Sequence, residues 1–370
     1  MKVLILGCGM QGRVVAQDLA YSACEVTVLD IDKKNITQLK SSDIKTLQFD
    51  IKNRKKLIRL MSEYDLIIGA LPAKFGFYVW ECAIEAGVDI VDMSYSADDP
   101  FLLHKEAERA GIKVVPDVGY APGLSNVLIG EAYMQMEGVD YLKIMVGGIP
   151  ERPIPPFNYR ITWSLQDLIE EYTRPARIYK NYRLVTVPAL SGVESFSIPG
   201  IGELEAFYTD GLRTLLKTMH RIRNMEEKTI RYPGHAMIFK TLIDSGFFSE
   251  TPIKINNLEI PCREFTFRYL KDTLAQGQEN DLTILLIQLK GKKESKQYQI
   301  IDYYDKKNRT TSMARMTAYS CAVISRCIKS YPKNGVIPPE YLGMVPGLCN
   351  FIKKELRKRG IKIKKFTKRV

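Results

Sequence analysis

Three glycines near the amino terminus have the spacing of a phosphate-binding loop. Gly7, Gly9 and Gly12 form a G-x-G-x-x-G motif directly after the apolar run from Lys2 to Leu6. Apolar residues then recur at helical spacing, so the motif lies between a predicted strand and a predicted helix. There the first glycine permits a tight turn, the second lets the backbone approach a pyrophosphate, and the third lets the helix pack close to the strand. The alternative is a turn that binds nothing. We predict a dinucleotide site whose loop comprises Gly7, Gly9, Met10, Gln11 and Gly12.

An acidic residue at the end of the second predicted strand indicates which nucleotide binds. Asp30 follows the run from Glu25 to Leu29 and lies eighteen residues after Gly12. A dinucleotide fold places an acid at about this distance to accept hydrogen bonds from the ribose hydroxyls, and an acid there repels a 2′-phosphate. The sequence therefore predicts NAD. Lys33 and Lys34 follow and could hold a phosphate, which leaves NADP open.

Further candidate contacts follow the later strands. Short apolar runs alternate with helical patterns as far as residue 117, which predicts a Rossmann-type doubly wound parallel sheet. Ligands in such sheets lie beyond the carboxyl ends of the strands. The residues predicted there are the cofactor contacts Asp50, Ala70, Leu71, Pro72 and Ser94, with Tyr95 and Asp117 nearer the nicotinamide. The alternative for Gly69 to Ala73 is a plain buried turn.

Composition narrows the class of protein. The chain has 370 residues, 45% of them apolar and 26% charged, as in an ordinary two-domain globular protein. Its longest stretch free of charged residues, 118–130, is shorter than the roughly 18 residues of a membrane span. Because the chain begins within a predicted strand, we expect no signal peptide and a cytoplasmic location. Seven scattered cysteines without a C-x-x-C pair, and three histidines without ligand spacing, predict neither disulfides nor a metal site.

The positive charge is concentrated at the carboxyl terminus. Residues 351–370 contribute nine of the twelve net positive charges. Tails of this kind are usually solvated and sometimes bind polyanions. We therefore predict a solvated tail and no nucleic-acid contact by the fold itself.

From residue 142 the pattern changes to longer, partly alternating strands with fewer helices, which predicts an α+β domain with a mixed or antiparallel sheet. The predicted divisions are 1–124 for the Rossmann domain, 125–308 for the α+β domain, 309–350 for a helix and loop that return to the first domain, and 351–370 for the tail.

Several motifs, in order along the chain, carry a resemblance to a known family. They are Tyr120-Ala-Pro-Gly-Leu-Ser-Asn126, Val146-Gly-Gly-Ile-Pro150, Thr162-Trp-Ser164, Tyr172-Thr-Arg-Pro-Ala176, Glu205-Ala-Phe-Tyr-Thr-Asp-Gly-Leu-Arg213, Thr229-Ile-Arg-Tyr-Pro-Gly-His235 and Ala314-Arg-Met-Thr-Ala-Tyr319. Over about residues 1–345 the chain resembles the saccharopine dehydrogenase-like family, with its lysine 6-dehydrogenase branch closest. The resemblance implies NAD-linked oxidation of a carbon–nitrogen bond, and a second domain that carries substrate and dimer contacts in a homodimer or tetramer.

The expected chemistry suggests roles for individual residues. Guanidinium groups hold carboxylates in a bidentate manner, so Arg213 and Arg231 are the predicted clamp for an amino-acid substrate; the alternative is an interdomain salt bridge. Hydride transfer from an amine requires its neutral form, so a base must accept a proton. Asp117 and His235 are the candidate bases, although Asp117 could simply hold its turn and His235 could be structural. The further predicted substrate contacts are Tyr95, Trp163 and Asn126.

The resulting functional hypothesis is NAD-dependent oxidative deamination of L-lysine at its terminal carbon, which yields 2-aminoadipate 6-semialdehyde and ammonia. Alternatives within the family are a saccharopine dehydrogenase or reductase and a carboxynorspermidine-type dehydrogenase of polyamine metabolism. A non-catalytic NAD-binding redox sensor with a polyanion-binding tail is the alternative outside enzymology.

Overall fold

The computed structural model describes residues 1–39, 43–161, 163–275 and 280–369, so Thr162 of one motif lies outside the described residues. The chain forms two compact units: Met1–Met136 with Ala314–Ile363, and Glu137–Met313 with the residues from Lys364 on. In chain order the strands are β1 (Lys2–Leu6), β2 (Glu25–Asp30), β3 (Ile44–Gln48), β4 (Leu66–Gly69), β5 (Ile90–Asp92), β6 (Lys113–Val115), β7 (Tyr141–Pro150), β8 (Ala176–Lys180), β9 (Arg183–Val187), β10 (Glu194–Ile198), β11 (Gly202–Tyr208), β12 (Asn224–Arg231), β13 (Pro252–Ile255), β14 (Leu258–Pro261), β15 (Asp281–Lys290), β16 (Glu294–Tyr303), β17 (Gly335–Val336) and β18 (Lys364–Arg369).

The α-helices, in the same order, are α1 (Met10–Tyr21), α2 (Lys33–Thr37), α3 (Arg54–Met61), α4 (Gly76–Ala86), α5 (His104–Arg109), α6 (Leu124–Gln135), α7 (Leu165–Thr173), α8 (Leu215–Thr218), α9 (His235–Asp244), α10 (Cys262–Leu274), α11 (Ser312–Cys327), α12 (Pro339–Gly343) and α13 (Pro346–Lys358). Short 3₁₀ turns span Ala73–Phe75, Pro100–Leu103 and Ile328–Ser330.

The first unit is built on a parallel sheet of seven described strands in the order β17-β6-β5-β4-β1-β2-β3. Every pairing in it is parallel, and Val3 to Leu6 in β1 are completely buried, as expected of strands covered on both faces. The order reverses between β1 and β4, which is where such sheets bind dinucleotides. The predicted Rossmann-type sheet is therefore confirmed.

The first unit extends to Met136, beyond the predicted division at residue 124, because α6 packs against α12 and α13. Two glycines permit this close approach. A Cβ on Gly130 would lie 2.0 Å from the backbone oxygen of Glu340, and one on Gly343 would lie 1.9 Å from that of Val127. The packing therefore assigns α6 to the first unit, although its sequence adjoins the second.

The second unit contains a mixed nine-stranded sheet, which confirms the predicted α+β fold. Strand β7 pairs in parallel with β12 and antiparallel with β15. The segment from Arg213 to His220 contains only the four-residue α8, and Arg213 before it has a left-handed φ of 51°. The sequence pattern also missed α10, which buries only Thr266, Leu270 and Leu274.

Residues 351–370 were predicted as a solvated basic tail, and they contain the end of α13 and strand β18. Helix α13 buries Ile352 and Leu356, and Arg359 donates to the carboxylate of Asp18 from Nε (2.7 Å) and Nη2 (2.8 Å). Strand β18 pairs antiparallel with β16. Its side chains are all exposed, so backbone hydrogen bonds rather than side-chain burial hold it, and composition does not reveal them. No described helix is both long and apolar enough to cross a membrane.

Candidate nucleotide and amino-acid sites

The three glycines of the loop have different surroundings. Gly7 has a φ of 107°, and a Cβ on it would lie 2.4 Å from the backbone oxygen of Ala70. A Cβ on Gly12 would lie 2.1 Å from the oxygen of Gly7, so a side chain at either position is excluded by the fold itself. Gly9 differs, because no described atom lies within 4 Å of its Cβ position. The space beside Gly9 is therefore open to a ligand.

Helix α1 begins at this open space. Gly9 is its N-cap residue, and the first turn contains no acidic side chain. The first amides of a helix lack partners within the helix and carry a partial positive charge, so they attract phosphate. The loop therefore fits the pyrophosphate of a dinucleotide.

The carboxylate of Asp30 is held against this loop. Oδ2 accepts hydrogen bonds from the backbone N–H of Cys8 (2.8 Å) and from Nδ2 of Asn35 (3.3 Å), and Oδ1 accepts one from the N–H of Asp32 (2.8 Å). A carboxylate can accept about four hydrogen bonds, so capacity remains for a ribose hydroxyl. Lys33 and Lys34 lie exposed in the next helix.

A buried acid that was not among the predicted site residues organises the end of β5. Asp92 is fully buried; its Oδ2 accepts from Nε1 of Trp80 (2.7 Å) and Oγ of Ser94 (2.5 Å), and its Oδ1 accepts from the N–H of Ser94 (3.1 Å). Burial raises the pKa of Asp92 to about 6, although these hydrogen bonds act to lower it. A Cβ on Gly69 would lie 2.0 Å from Oδ1, so Gly69 makes room for the acid. The hydroxyl of Ser94 therefore donates inside the fold, which argues against its predicted cofactor contact.

The other predicted cofactor positions follow strands of the same sheet. Ala70, Leu71 and Pro72 follow β4, and the N–H of Ala70 donates to the oxygen of Leu6 (2.9 Å) beside the glycine loop. Asp50 follows β3 and is exposed, and its Oδ1 accepts from the N–H of Lys52 (3.0 Å). These four residues remain predicted cofactor contacts.

The first unit contains three of the candidate substrate residues. Asp117 follows β6, is 2% exposed and has a left-handed φ of 59°. Tyr95 is partly exposed. Asn126 is buried; its Oδ1 accepts from the N–H of Gly123 (3.3 Å), and its Nδ2 donates to Oε2 of Glu340 (3.0 Å). Asn126 therefore caps α6 and joins it to α12, which argues against its predicted substrate contact.

In the second unit, Arg231 ends β12 and is 3% exposed. Its Nε donates to the hydroxyl of Tyr172 (2.8 Å) and its Nη1 to the oxygen of Ile230 (2.8 Å). The guanidinium carbon lies 4.7 Å from the ring centroid of Tyr159 and 5.8 Å from that of Tyr172. Although burial works against the charge, the neighbouring Tyr172, Tyr159 and Glu171 raise the pKa of Arg231 overall, so it is a buried cation.

His235 is completely buried, and both ring nitrogens have partners. Nε2 lies 2.9 Å from the Tyr172 hydroxyl, and Nδ1 lies 2.8 Å from the oxygen of Phe157. Because that hydroxyl accepts from Arg231, it donates to Nε2, and the proton of a neutral ring lies on Nδ1. Burial, followed by the charge of Arg231, lowers the pKa of His235 to about 3. The structure therefore argues against His235 as the proton acceptor and favours a role in the core.

The loop that carries Arg213 is anchored by buried acids. Oε2 of Glu227 accepts from Oγ1 of Thr209 (2.7 Å) and from the N–H of Gly211 (3.1 Å). Burial raises the pKa of Glu227 well above its usual range. Asp210 is bound by Arg177 through Nε (3.0 Å) and Nη2 (2.9 Å). Arg213 itself is 7% exposed, at the end of this fixed loop.

An aromatic cluster lies beside Arg231 and His235. Its buried core includes Tyr159, Tyr172 and Phe239. Trp163 packs against this cluster and remains partly exposed. Sequence reasoning missed Tyr159 and Tyr172 as site residues. Tyr172 began one of the family motifs, which was a usable signal, whereas nothing in the pattern distinguished Tyr159 from an ordinary core tyrosine.

Within the described part of the chain, no group of three or more His, Cys, Asp or Glu side chains could hold a metal ion. The seven cysteines carry free thiols, and five of them are buried.

Comparison with family models covers nearly the whole chain. Residues 3–115 match the saccharopine dehydrogenase NADP binding domain, and residues 119–361 match the saccharopine dehydrogenase C-terminal domain. The chain belongs to the saccharopine dehydrogenase family. The predicted family and its NAD(P)-binding domain are thereby confirmed. The match also extends past residue 345, where the resemblance had been expected to end.

Similar proteins include two fungal enzymes and one plant enzyme. The chain is 27% identical over 300 residues to saccharopine dehydrogenase [NADP(+), L-glutamate-forming] of Pyricularia oryzae, which covers 76% of this chain and 66% of that protein. It is 26% identical over 283 residues to the Saccharomyces cerevisiae protein of the same name, covering 72% and 63%. It is 26% identical over 221 residues to alpha-aminoadipic semialdehyde synthase of Arabidopsis thaliana, covering 56% and 21%. The chain thus matches less than two thirds of the length of each of these relatives.

Among solved structures, the apo histidine-tagged saccharopine dehydrogenase (L-Glu forming) from Saccharomyces cerevisiae shares the fold. The two superpose with a TM-score of 0.81 at 20% identity, over 99% of each chain. This likeness confirms the combination of a parallel Rossmann-type sheet and a second, mixed sheet.

Proposed function

We propose that this protein oxidises a carbon–nitrogen bond of an amino acid related to lysine, with a nicotinamide dinucleotide as hydride acceptor. The observation that carries the proposal is the match of both parts of the chain to the saccharopine dehydrogenase family. Two local features are consistent with it: the open loop at Gly9, and the buried cation Arg231.

The proposed cofactor is NAD. When bound, the dinucleotide supplies the hydride acceptor, while Gly7, Gly9, Gly12 and the first amides of α1 hold its pyrophosphate. Asp30 is oriented by the N–H groups of its neighbours and would accept from a ribose hydroxyl and repel a 2′-phosphate. The family model and the fungal relatives are named for NADP, so both cofactors enter the test.

Arg213 and Arg231 are the proposed ligands of the substrate carboxylates, since both are buried cations in family motifs. A lysine-type amine must lose its proton before hydride transfer, because an ammonium has no lone pair to stabilise the developing iminium. Asp117 is the proposed acceptor of that proton, and Tyr95 and Trp163 are proposed to border the substrate. Water then hydrolyses the imine to an aldehyde and releases the amine.

The proposed substrate is L-lysine, oxidised at its terminal carbon to 2-aminoadipate 6-semialdehyde and ammonia, on the strength of the lysine 6-dehydrogenase-like motifs. Saccharopine is the second candidate, because the fungal relatives are named as L-glutamate-forming saccharopine dehydrogenases. The two reactions release different nitrogen products, ammonia and glutamate.

The test is a substrate assay on the purified full-length protein. L-lysine and saccharopine are each supplied with NAD or NADP, and reduced cofactor, ammonia and glutamate are measured together. We expect NADH and ammonia in equal amounts from lysine, with turnover rising toward alkaline pH as more of the amine is neutral. Reduced cofactor and glutamate from saccharopine alone would transfer the assignment to the second candidate. Tight NADH binding without turnover on any amine would support the sensor hypothesis instead.

We further propose a homo-oligomer, a dimer or tetramer, as the family resemblance implies. Light scattering on the purified protein tests this, and a monomer at assay concentration would contradict it. The divisions at residues 124, 308 and 350 stay predictions about independently folding segments, which limited proteolysis can test.

A further inference from the structure

A buried donor in the second unit lacks a hydrogen-bond partner among the described residues, and it lies beside an arginine that has an unused nitrogen. The Tyr159 hydroxyl belongs to a completely buried side chain and has no hydrogen-bond partner there. Arg231 uses Nε and Nη1, while Nη2 donates to none of the described residues. Buried polar groups are nearly always hydrogen-bonded, because burying one without a partner costs the free energy of its lost hydration. The orphaned hydroxyl, next to a guanidinium whose Nη2 is unused, therefore indicates a missing acceptor.

The charge of Arg231 leads to the same inference. Its hydrogen-bond partners are a hydroxyl and a backbone carbonyl, and two aromatic rings lie against the guanidinium. Glu171 is the carboxylate whose charge acts on it, yet Glu171 accepts from Oγ1 of Thr229 (2.5 Å) and forms no ion pair with Arg231 in the described part of the chain. Buried cations are normally paired with an anion. Arg231 therefore lacks the partner that a purely structural arginine would have.

Tyr159 is fixed beside this cation. Its ring centroid lies 4.7 Å from the guanidinium carbon of Arg231 and 5.3 Å, edge-on, from the ring of His235. The backbone around it is anchored too: the N–H of Tyr159 donates to the oxygen of Ile154 (3.3 Å), and Nδ2 of Asn158 donates to the oxygen of Pro233 (3.1 Å). The hydroxyl is therefore presented in one position without reorganisation, as a binding group requires.

We propose that Tyr159 is a substrate-binding residue, whose hydroxyl donates to the carboxylate that Arg231 holds. A carboxylate suits the pair because it is an anion with two oxygens, one for the guanidinium edge and one for the hydroxyl. This inference rests on the proposed function for the identity of the ligand, an amino acid. The residue sets specificity, because a ligand without this carboxylate leaves both donors unpaired.

The test compares Tyr159→Phe with the matched control Tyr172→Phe. The first change removes an oxygen that has no partner in the described chain, so the melting temperature should stay the same or rise. The second removes a hydroxyl that joins Arg231 to His235, so it should lower the melting temperature. Loss of one hydrogen bond to a charged ligand should raise the KM of Tyr159→Phe about tenfold with kcat changed less than about twofold. An unchanged KM would overturn the inference, as would a KM that rises only because the variant has lost stability.

A binding measurement separates this inference from the proposed function. Melting temperatures of the wild type and Tyr159→Phe are compared with L-lysine, saccharopine and L-lysinamide, which lacks the carboxylate. We expect a carboxylate ligand to protect the wild type, lysinamide to protect it less, and Tyr159→Phe to lose the difference. If this pattern holds without turnover on any amine, the carboxylate site stands and the proposed function fails. If turnover occurs and Tyr159→Phe binds like the wild type, the proposed function stands and this inference fails.

Discussion

The substitution Gly9→Ala tests whether the glycine loop binds the cofactor. The new Cβ would meet no described atom within 4 Å, and the backbone of Gly9, at φ −69° and ψ −169°, is open to alanine. Gly12→Ala is the contrasting variant, because its Cβ would lie 2.1 Å from the oxygen of Gly7. We therefore expect Gly9→Ala to fold normally and lose cofactor binding, and Gly12→Ala to lose stability as well.

The magnitudes follow from these surroundings. For Gly9→Ala, the poorer N-cap costs about 0.5–1 kcal/mol, and the lower entropy of the unfolded chain offsets a similar amount. For Gly12→Ala, overpacking destabilises the fold by about 1–3 kcal/mol, and the higher helix propensity of alanine offsets about 1 kcal/mol of this loss. NADH at 100 times its Kd stabilises the wild type by about 2.7 kcal/mol, whereas a hundredfold weaker Kd leaves about 0.4 kcal/mol. If all 370 residues unfold in one cooperative transition, NADH should raise the melting temperature of the wild type by about 3 °C. It should raise that of a variant with a hundredfold weaker Kd by about half a degree.

The assay is thermal unfolding of the three proteins with and without NADH, together with a fluorescence titration of NADH binding. Gly9→Ala should melt close to the wild type without ligand and show almost no shift with it. A shift equal to that of the wild type would refute the argument, because the open space beside Gly9 would then not be where the pyrophosphate lies. A large loss of stability in Gly9→Ala would contradict the packing argument instead.

Three further predictions concern the cofactor, the terminal strand and the base. Asp30→Ala should reduce the ratio of kcat/KM for NAD to kcat/KM for NADP, because it removes the charge that repels a 2′-phosphate. Equal kcat/KM with both cofactors in the wild type would contradict the predicted preference for NAD. Truncation after Ile363 removes β18, whose side chains are exposed. Turnover should therefore persist, and the melting temperature should fall only slightly. A truncated protein that binds NADH but is inactive would show that the strand contributes to the active site. Asp117→Asn should lower kcat at least a hundredfold. His235→Phe should leave the pH profile of turnover unchanged, because the pKa of His235 is lowered to about 3 and the ring is neutral throughout the assay range. If His235→Phe instead lost the acidic limb of the pH profile, where a base becomes protonated, the histidine would again be the candidate base.

Local order in the chain accounts for what was predicted correctly in the first unit. The strand, the glycine loop and the start of α1 are contiguous, and Asp30 follows at a distance set by one helix and one strand. Alternation of short apolar runs with helices predicted the parallel sheet for the same reason. In the second unit, the strand Asp281–Lys290 lies where long strands were predicted, and its ten residues are mostly apolar.

Elements with weak burial patterns were missed. Helix α10 buries three of its thirteen residues, and β18 buries none, so hydrophobic periodicity carried little signal for either. Strand β18 forms because β16 offers its free backbone edge, and that edge exists only once the sheet has folded. The basic composition of the segment was read correctly, but composition says nothing about backbone pairing.

The sequence alone determined the glycine loop, the acid at Asp30 and the family, because these depend on residue types at short, ordered spacings. Tertiary structure decided which polar side chains are available to a ligand. Ser94, Asn126 and His235 have residue types suited to a site, yet each donates or accepts within the fold. Tyr159 has the type of a core residue, yet its hydroxyl has no partner in the described chain. A hydrogen bond depends on the position of both atoms, and residues far apart in sequence supply them, so only the folded chain shows which donors and acceptors are already paired.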